Sequence, residues 1–268
     1  QRVRNEGRVP IVLYGHGREA VHLTVDVDEI ERLAPQSDLL TLDADTVMGP
    51  HSLEAACRAA GAMVQGVDMV TGGETDTVFC ATRPPGHHAG RSSAMGFCIF
   101  NNVAVGAAHA LAAGLERVAI VDFDVHHGNG TDSIFQTDDR VMLCSVFQHP
   151  YYPGTDPVTD SDHIIHAPLR SGAYSEEFQQ TIKHHLLPAL HGFRPELILV
   201  SAGFDSHFED GMGELNLLDS DYYWVTREIV EAAVQHARGR VVSTLEGGYE
   251  SSALGRSVAQ HVRALMCI

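Results

Sequence analysis

Lysine is almost absent. The 268-residue sequence holds one, Lys183, so arginine supplies nearly all of the positive charge. Basic residues are scarce as a class, 18 Lys and Arg against 35 Asp and Glu, for a formal net charge of −17. Such a surface repels phosphate backbones, which argues against direct nucleic-acid binding and would attract a basic substrate. Acidity that merely keeps the protein soluble is the simpler account. No apolar run is long enough to span a bilayer, and the N-terminus shows no basic-then-apolar leader. The expectation is therefore a cytoplasmic protein with no membrane partner. The five cysteines, Cys57, Cys80, Cys98, Cys144 and Cys267, are odd in number and none forms a CxxC pair. Neither a disulfide framework nor a zinc ribbon is indicated, and the cysteines read as reduced core thiols. Repeats, low-complexity tracts and a clear linker are also lacking, so residues 1–268 read as one domain.

What is present alternates. Short, nearly continuous apolar runs at 76–82, 117–123, 140–146, 196–202 and 240–246 have the look of strands covered on both faces. Amphipathic stretches at 52–67, 101–114, 175–190, 219–237 and 251–265 read as helices, with Ser52, Asn102 and Ser251 as N-caps. The alternation predicts an α/β fold, a single mostly parallel sheet with helices on both faces. In such sheets ligands gather beyond the carboxyl ends of the strands. Four polar clusters fall at those ends: RPPGHHAG, DFDVHHGNG, GFDSH and EGGYE.

The chemistry of each cluster can be read from residue type and spacing. Asp122, Asp124 and His126 alternate along an extended chain, so their side chains share one side. Asp124 and His126 suit a borderline divalent metal, and Asp205 is a candidate third ligand. Two carboxylates and one imidazole leave a corner of a zinc tetrahedron open, as catalysis requires. Histidine as a residue type titrates near neutrality, so His87 and His88 are candidate proton shuttles. Tyr249, after two glycines, could donate to a developing oxyanion.

These clusters, together with LDADT, SLEAA, MGFCIFNN, VDFDVHHGNGT, YYPGT, SAGFD and LEGGYE, resemble the histone deacetylase family over roughly residues 19 to 268, with a lean to its class II-like branch. That family includes bacterial deacetylases and acetylpolyamine amidohydrolases. The resemblance implies the arginase/deacetylase fold. It implies one catalytic Zn2+ on Asp124, His126 and Asp205, with His87 and His88 as the paired histidines. Asp122 would support His87, Asn129 would support His88, and Tyr249 would polarise the carbonyl. It assigns Gly96, Phe97, Tyr152 and Gly247 to substrate binding, with Phe97 and Tyr152 clasping an aliphatic chain. It also implies a structural K+ near Asp122, Asp124, His126 and Ser145. Because an aspartate stabilises an imidazolium better than a neutral amide does, His88 is expected to be the less basic histidine and the better general base. Residues 1–18 match no segment of the family, whose N-terminal portion is missing or diverged here.

The implied activity is removal of acetyl or other acyl groups from lysine side chains of proteins or peptides, or from small amines. A polyamine deacetylase is the nearest alternative. Met212 falls near the position where some such enzymes carry an acidic gatekeeper, with Glu209, Asp210 and Glu214 around it. An arginase-like dimanganese hydrolase would need further ligands. A non-catalytic binding module would keep the pocket without the reaction. An oligomer is compatible with the sequence.

Overall fold

The computed structural model describes residues 39–157 and 161–267, together with the backbone of two strands nearer the N-terminus. Those two, β1 (Arg8–Leu13) and β2 (Val21–Asp26), pair antiparallel. The rest of the stretch 1–18, which carried no recognisable motif, lies outside the described residues. A second short antiparallel pair, β3 (Leu40–Thr41) with β4 (Val47–Met48), flanks the LDADT segment.

The apolar runs became a six-stranded sheet. Its strands are β5 (Thr77–Cys80), β6 (Val118–Asp122), β7 (Val141–Gln148), β8 (Ile164–Leu169), β9 (Leu197–Ala202) and β10 (Val241–Leu245). Their order is β5-β10-β9-β6-β7-β8, and every neighbouring pair is parallel. All carboxyl ends therefore emerge at one edge.

Helices cover both faces. On one side lie α1 (Ser52–Thr71), α2 (Asn102–Ala112) and α3 (Asn129–Phe135). On the other lie α4 (Ser175–Thr181), a π-helical turn (Ile182–Leu186), α5 (Leu187–Phe193), α6 (Asp219–His236) and α7 (Ser251–Leu265). Period-two geometry divides each strand between two cores. Ala119, Val121, Ile198 and Val200 pack with α4–α7, whereas Val118, Ile120, Leu197 and Leu199 pack with α1–α3.

Several sequence expectations need correction. The helix expected at 175–190 is broken by the π turn. The caps sit one residue earlier than expected. Asn101, not Asn102, accepts from the Ala104 N–H, and Glu250, not Ser251, accepts from the Ala253 N–H. A cap must be extended while its side chain reaches back to the first turn, and Asn101 and Glu250 have that backbone. The Ser52 hydroxyl accepts instead from the Gly49 N–H, and α1 starts without a side-chain cap. Cys80, Cys98 and Cys144 are buried as free thiols, but Cys267 is exposed and not part of the core.

Candidate active site

Four loops leave the carboxyl edge and converge. The turn after β6 carries Asp124 and His126, and Gly203 lets the turn after β9 bring Asp205 alongside. Their candidate ligand atoms all lie within 4.8 Å of one another, and all three residues are buried. His126 Nδ1 is 3.0 Å from Asp124 Oδ1 and 3.2 Å from Asp205 Oδ2. Asp205 Oδ2 is buried and makes no hydrogen bond. A buried carboxylate oxygen without a donor is costly, and a cation would relieve it. The second Asp205 oxygen accepts from the Val125 N–H at 3.0 Å. Gly203 and Gly247 form the floor of this cradle. A Cβ at Gly203 would overlap the Asp124 carboxylate, and one at Gly247 would overlap that of Asp205. The residues present thus fit a divalent metal of the zinc class.

The histidine pair sits beside it, on the turn after β5. His87 Nδ1 donates to Asp122 Oδ2 at 3.0 Å, and His88 Nδ1 donates to Asn129 Oδ1 at 2.8 Å. The two rings are 4.0 Å apart. Their environments drive them in opposite directions. Burial opposes a charge on His87, but Asp122 and Asp124 outweigh it and hold the imidazole well above its ordinary range. Burial and the charge of His87 hold His88 well below that range. Burial and the nearby Asp124 push Asp205 up to about 6.

The rim is aromatic. Tyr152 stands edge-on to His88 and His126, with ring centroids 5.1 and 5.7 Å away, and Tyr151 stacks on His126 at 5.7 Å. Phe97 meets Tyr249 edge-to-face at 6.2 Å, and both are partly exposed. Phe97 has φ of 66°, a conformation unusual for a side-chain-bearing residue. The loop before α1 holds it there: Asp45 Oδ1 accepts from the Gly96 N–H and Thr46 Oγ1 from the Phe97 N–H. Gly96 must be glycine, since a Cβ would overlap the His88 ring. Gly247 lies not at this rim but under the carboxylates, its N–H donating to Asp124 Oδ2 at 2.8 Å. Ser145 is the register partner of Asp122, and its hydroxyl is buried without a hydrogen bond.

Two positioning carboxylates escaped the sequence reading. Glu246 is buried. Its Oε2 accepts from the Gly86 and His87 N–H groups at 2.6 and 3.1 Å, and its Oε1 from the Ser201 hydroxyl at 2.9 Å. Burial pushes it up to about 7. Asp210 accepts from the Tyr249 and Glu250 N–H groups at 2.6 and 3.0 Å and so fixes the tyrosine loop. Glu246 adjoins a recognisable GGY, which was a usable signal. Asp210 sat in a loop with nothing to distinguish it from its acidic neighbours.

A family model described as histone deacetylase domain matches residues 15–265. The chain belongs to the histone deacetylase family. The match begins inside the stretch 1–18 that the motifs left unplaced. Among curated relatives of this deacetylase-family chain, an uncharacterized protein of Synechocystis sp. is 40% identical over 230 residues, covering 84% of this chain and 74% of the relative. A histone deacetylase-like amidohydrolase of Pseudomonas aeruginosa is 38% identical over 220 residues, 79% of this chain and 58% of its own length. A probable deacetylase of Archaeoglobus fulgidus is 37% identical over 214 residues, 78% of this chain and 60% of its own length. This chain therefore spans less than two thirds of the last two. The crystal structure of the HDA15 HD domain superposes with a TM-score of 0.83 at 31% identity, covering 89% of this chain and 70% of the other. The family's α/β architecture, a parallel sheet between helices, is the one seen here.

Proposed function

We propose that this chain is a zinc-dependent amidohydrolase that removes acetyl or related acyl groups from lysine side chains, with residues 1–268 acting as one catalytic domain. The observation that carries this reading is the convergence of Asp124, His126 and Asp205, with one orphaned carboxylate oxygen, beside a histidine pair of split basicity. Zinc held by those three residues would supply Lewis acidity, polarising the substrate carbonyl and acidifying a water.

The chain's own residues do the rest. Asn129 takes the His88 Nδ1 proton in a hydrogen bond, which leaves Nε2 with its lone pair as general base. His87, kept protonated by Asp122, would stabilise developing negative charge beside it and return a proton to the leaving amine. Burial and the carboxylates of Asp124 and Asp205 push the Tyr249 hydroxyl up, so it stays protonated as a donor to the oxyanion. Phe97 and Tyr152 flank the aliphatic chain of the substrate, with Gly96 allowing close backbone approach, while Gly247 serves beneath the site by holding Asp124. A structural K+ is assigned near Asp122, Asp124, His126 and Ser145, supported by the orphaned Ser145 hydroxyl.

The polyamine alternative is less well supported. An acidic gatekeeper must present a free carboxylate. Asp210 is buried against backbone N–H groups, Glu209 pairs with Arg256 at 2.7 Å, and Glu214 accepts from Gln148 at 2.8 Å. Met212, the residue at that place, is exposed and apolar. No helix among the described residues is long and apolar enough to cross a membrane, and a cytoplasmic location is part of this proposal. The test is turnover of an acetyl-lysine peptide against acetylspermidine by the zinc-loaded protein. We expect the peptide to be preferred, with activity lost in Asp205→Asn by more than the roughly 10–100-fold typical of losing an outer-sphere partner. Preference for acetylspermidine, or an active Asp205→Asn, would overturn the proposal.

A further inference from the structure

A second group of metal-ligating side chains lies outside the candidate active site. His127 follows β6, Asp132 is in the first turn of α3, and His166 projects from β8. One candidate ligand atom from each lies within 4.8 Å of the others. Asp132 Oδ2 is 3.4 Å from His127 Nε2 and 3.0 Å from His166 Nε2. The side chains of His127 and His166 are only 5% and 7% exposed. The Phe147 ring walls the group, 4.7 Å from the His127 ring and 5.9 Å from that of His166.

The atoms are close, yet their alignment is poor for hydrogen bonds between them. Neither ring nitrogen of His127 has a hydrogen-bond partner, and neither does His166 Nε2. Three buried nitrogens without partners are an unusual expense for a simple ion pair, which would align each N–H on the carboxylate. One nitrogen from each ring, His127 Nε2 and His166 Nε2, with Asp132 Oδ2 between them, has the geometry of ligands aimed at a common point. Ligands about 2.0–2.1 Å from a tetrahedral zinc stand about 3.4 Å apart; the 3.4 Å separation equals that edge and the 3.0 Å one is slightly shorter.

We propose that His127, Asp132 and His166 bind a second divalent ion of the zinc class. Two imidazoles and one carboxylate select such an ion over Ca2+ or Mg2+. The ion would tie edge strand β8 to the turn that carries His126, one residue from His127. Its part is structural: the site is walled by Phe147 and is distinct from the pair His87 and His88.

The test is metal stoichiometry. Chelator-stripped protein is titrated with Zn2+, and bound metal per chain is measured by elemental analysis, with Co2+ absorption as a spectroscopic check. Two equivalents are expected in the wild type, and one in His166→Asn, Asp132→Asn or Asp205→Asn. The double variant Asp205→Asn/His166→Asn should hold none. Excess Zn2+ should raise the melting temperature of Asp205→Asn but not of the double variant. The use of both His166→Asn and Asp132→Asn guards against one of them misfolding. One equivalent in the wild type, unchanged in those two variants, would overturn the proposal. One equivalent that is lost in them yet kept in Asp205→Asn would uphold this site and sink the catalytic one.

Discussion

A pair of adjacent histidines differ because of one atom type opposite each. The carboxylate of Asp122 faces His87 and the amide of Asn129 faces His88. A general base must be unprotonated to work, so a depressed His88 keeps the proposed reaction running below the ordinary histidine range. The acid limb of kcat/KM should therefore fall below pH 6.5. Replacing Asn129 with Asp would favour the imidazolium, raise His88 and move that limb to higher pH, while zinc content stays unchanged. A pH–rate profile of Asn129→Asp with its acid limb in place, or shifted downward, would contradict the assigned role. Both supporting residues were legible in the sequence through the family resemblance of VDFDVHHGNGT and RPPGHHA, which pairs residues 35 and 41 positions apart that spacing alone does not connect.

At the scale of elements, the proposed donor Tyr249 is only as well placed as its loop, and Asp210 holds that loop. Asp210 also accepts from the Met212 N–H at 2.9 Å, so one side chain satisfies three backbone donors. Asp210→Ala should cost roughly 2–4 kcal/mol, given about 1–3 kcal/mol for each buried group left unpaired and partial rescue by water. It should lower kcat about tenfold or more with zinc content preserved. Urea unfolding and steady-state kinetics would measure both; an unchanged kcat would mean that the loop holds itself. Sequence reading found five of the six parallel strands because buried strands declare themselves as apolar runs. It missed β8, whose IIHAPL mixes a histidine and a proline into an edge strand. It missed α3 because helix NGTDSIF opens on turn-forming residues and spans only seven positions. Asp210 was missed for another reason: its partners are backbone groups 39 and 40 residues away.

For the molecule as a whole, a buried imidazole behind the site couples stability to acidity. His261 of α7 bonds the Thr226 hydroxyl of α6 at 2.6 Å and the Ser243 hydroxyl of β10 at 2.9 Å. Burial pushes it down to about 3 from an ordinary 6.5. The unfolded chain then binds a proton that the folded chain refuses, so stability is full above pH 6.5 and is lost as pH falls towards 3. At about 1.4 kcal/mol per pH unit, lowering the pH from 7 to 5 should cost about 2 kcal/mol from this residue alone. Urea unfolding at both values should show that loss in the wild type and show it reduced by that amount in His261→Gln. The strand order has its own consequence. Cutting the chain between Gly154 and Ser161 would leave Asp124 and His126 on one piece and Asp205 and Tyr249 on the other. Across the sheet those pieces interleave, the first supplying β5 and the pair β6-β7, the second the pair β10-β9 and β8. Neither fragment owns a contiguous half of the sheet, so any revival of a nicked chain has to proceed by mutual complementation, with the ion-binding edge closing only when both strands of descent are threaded together.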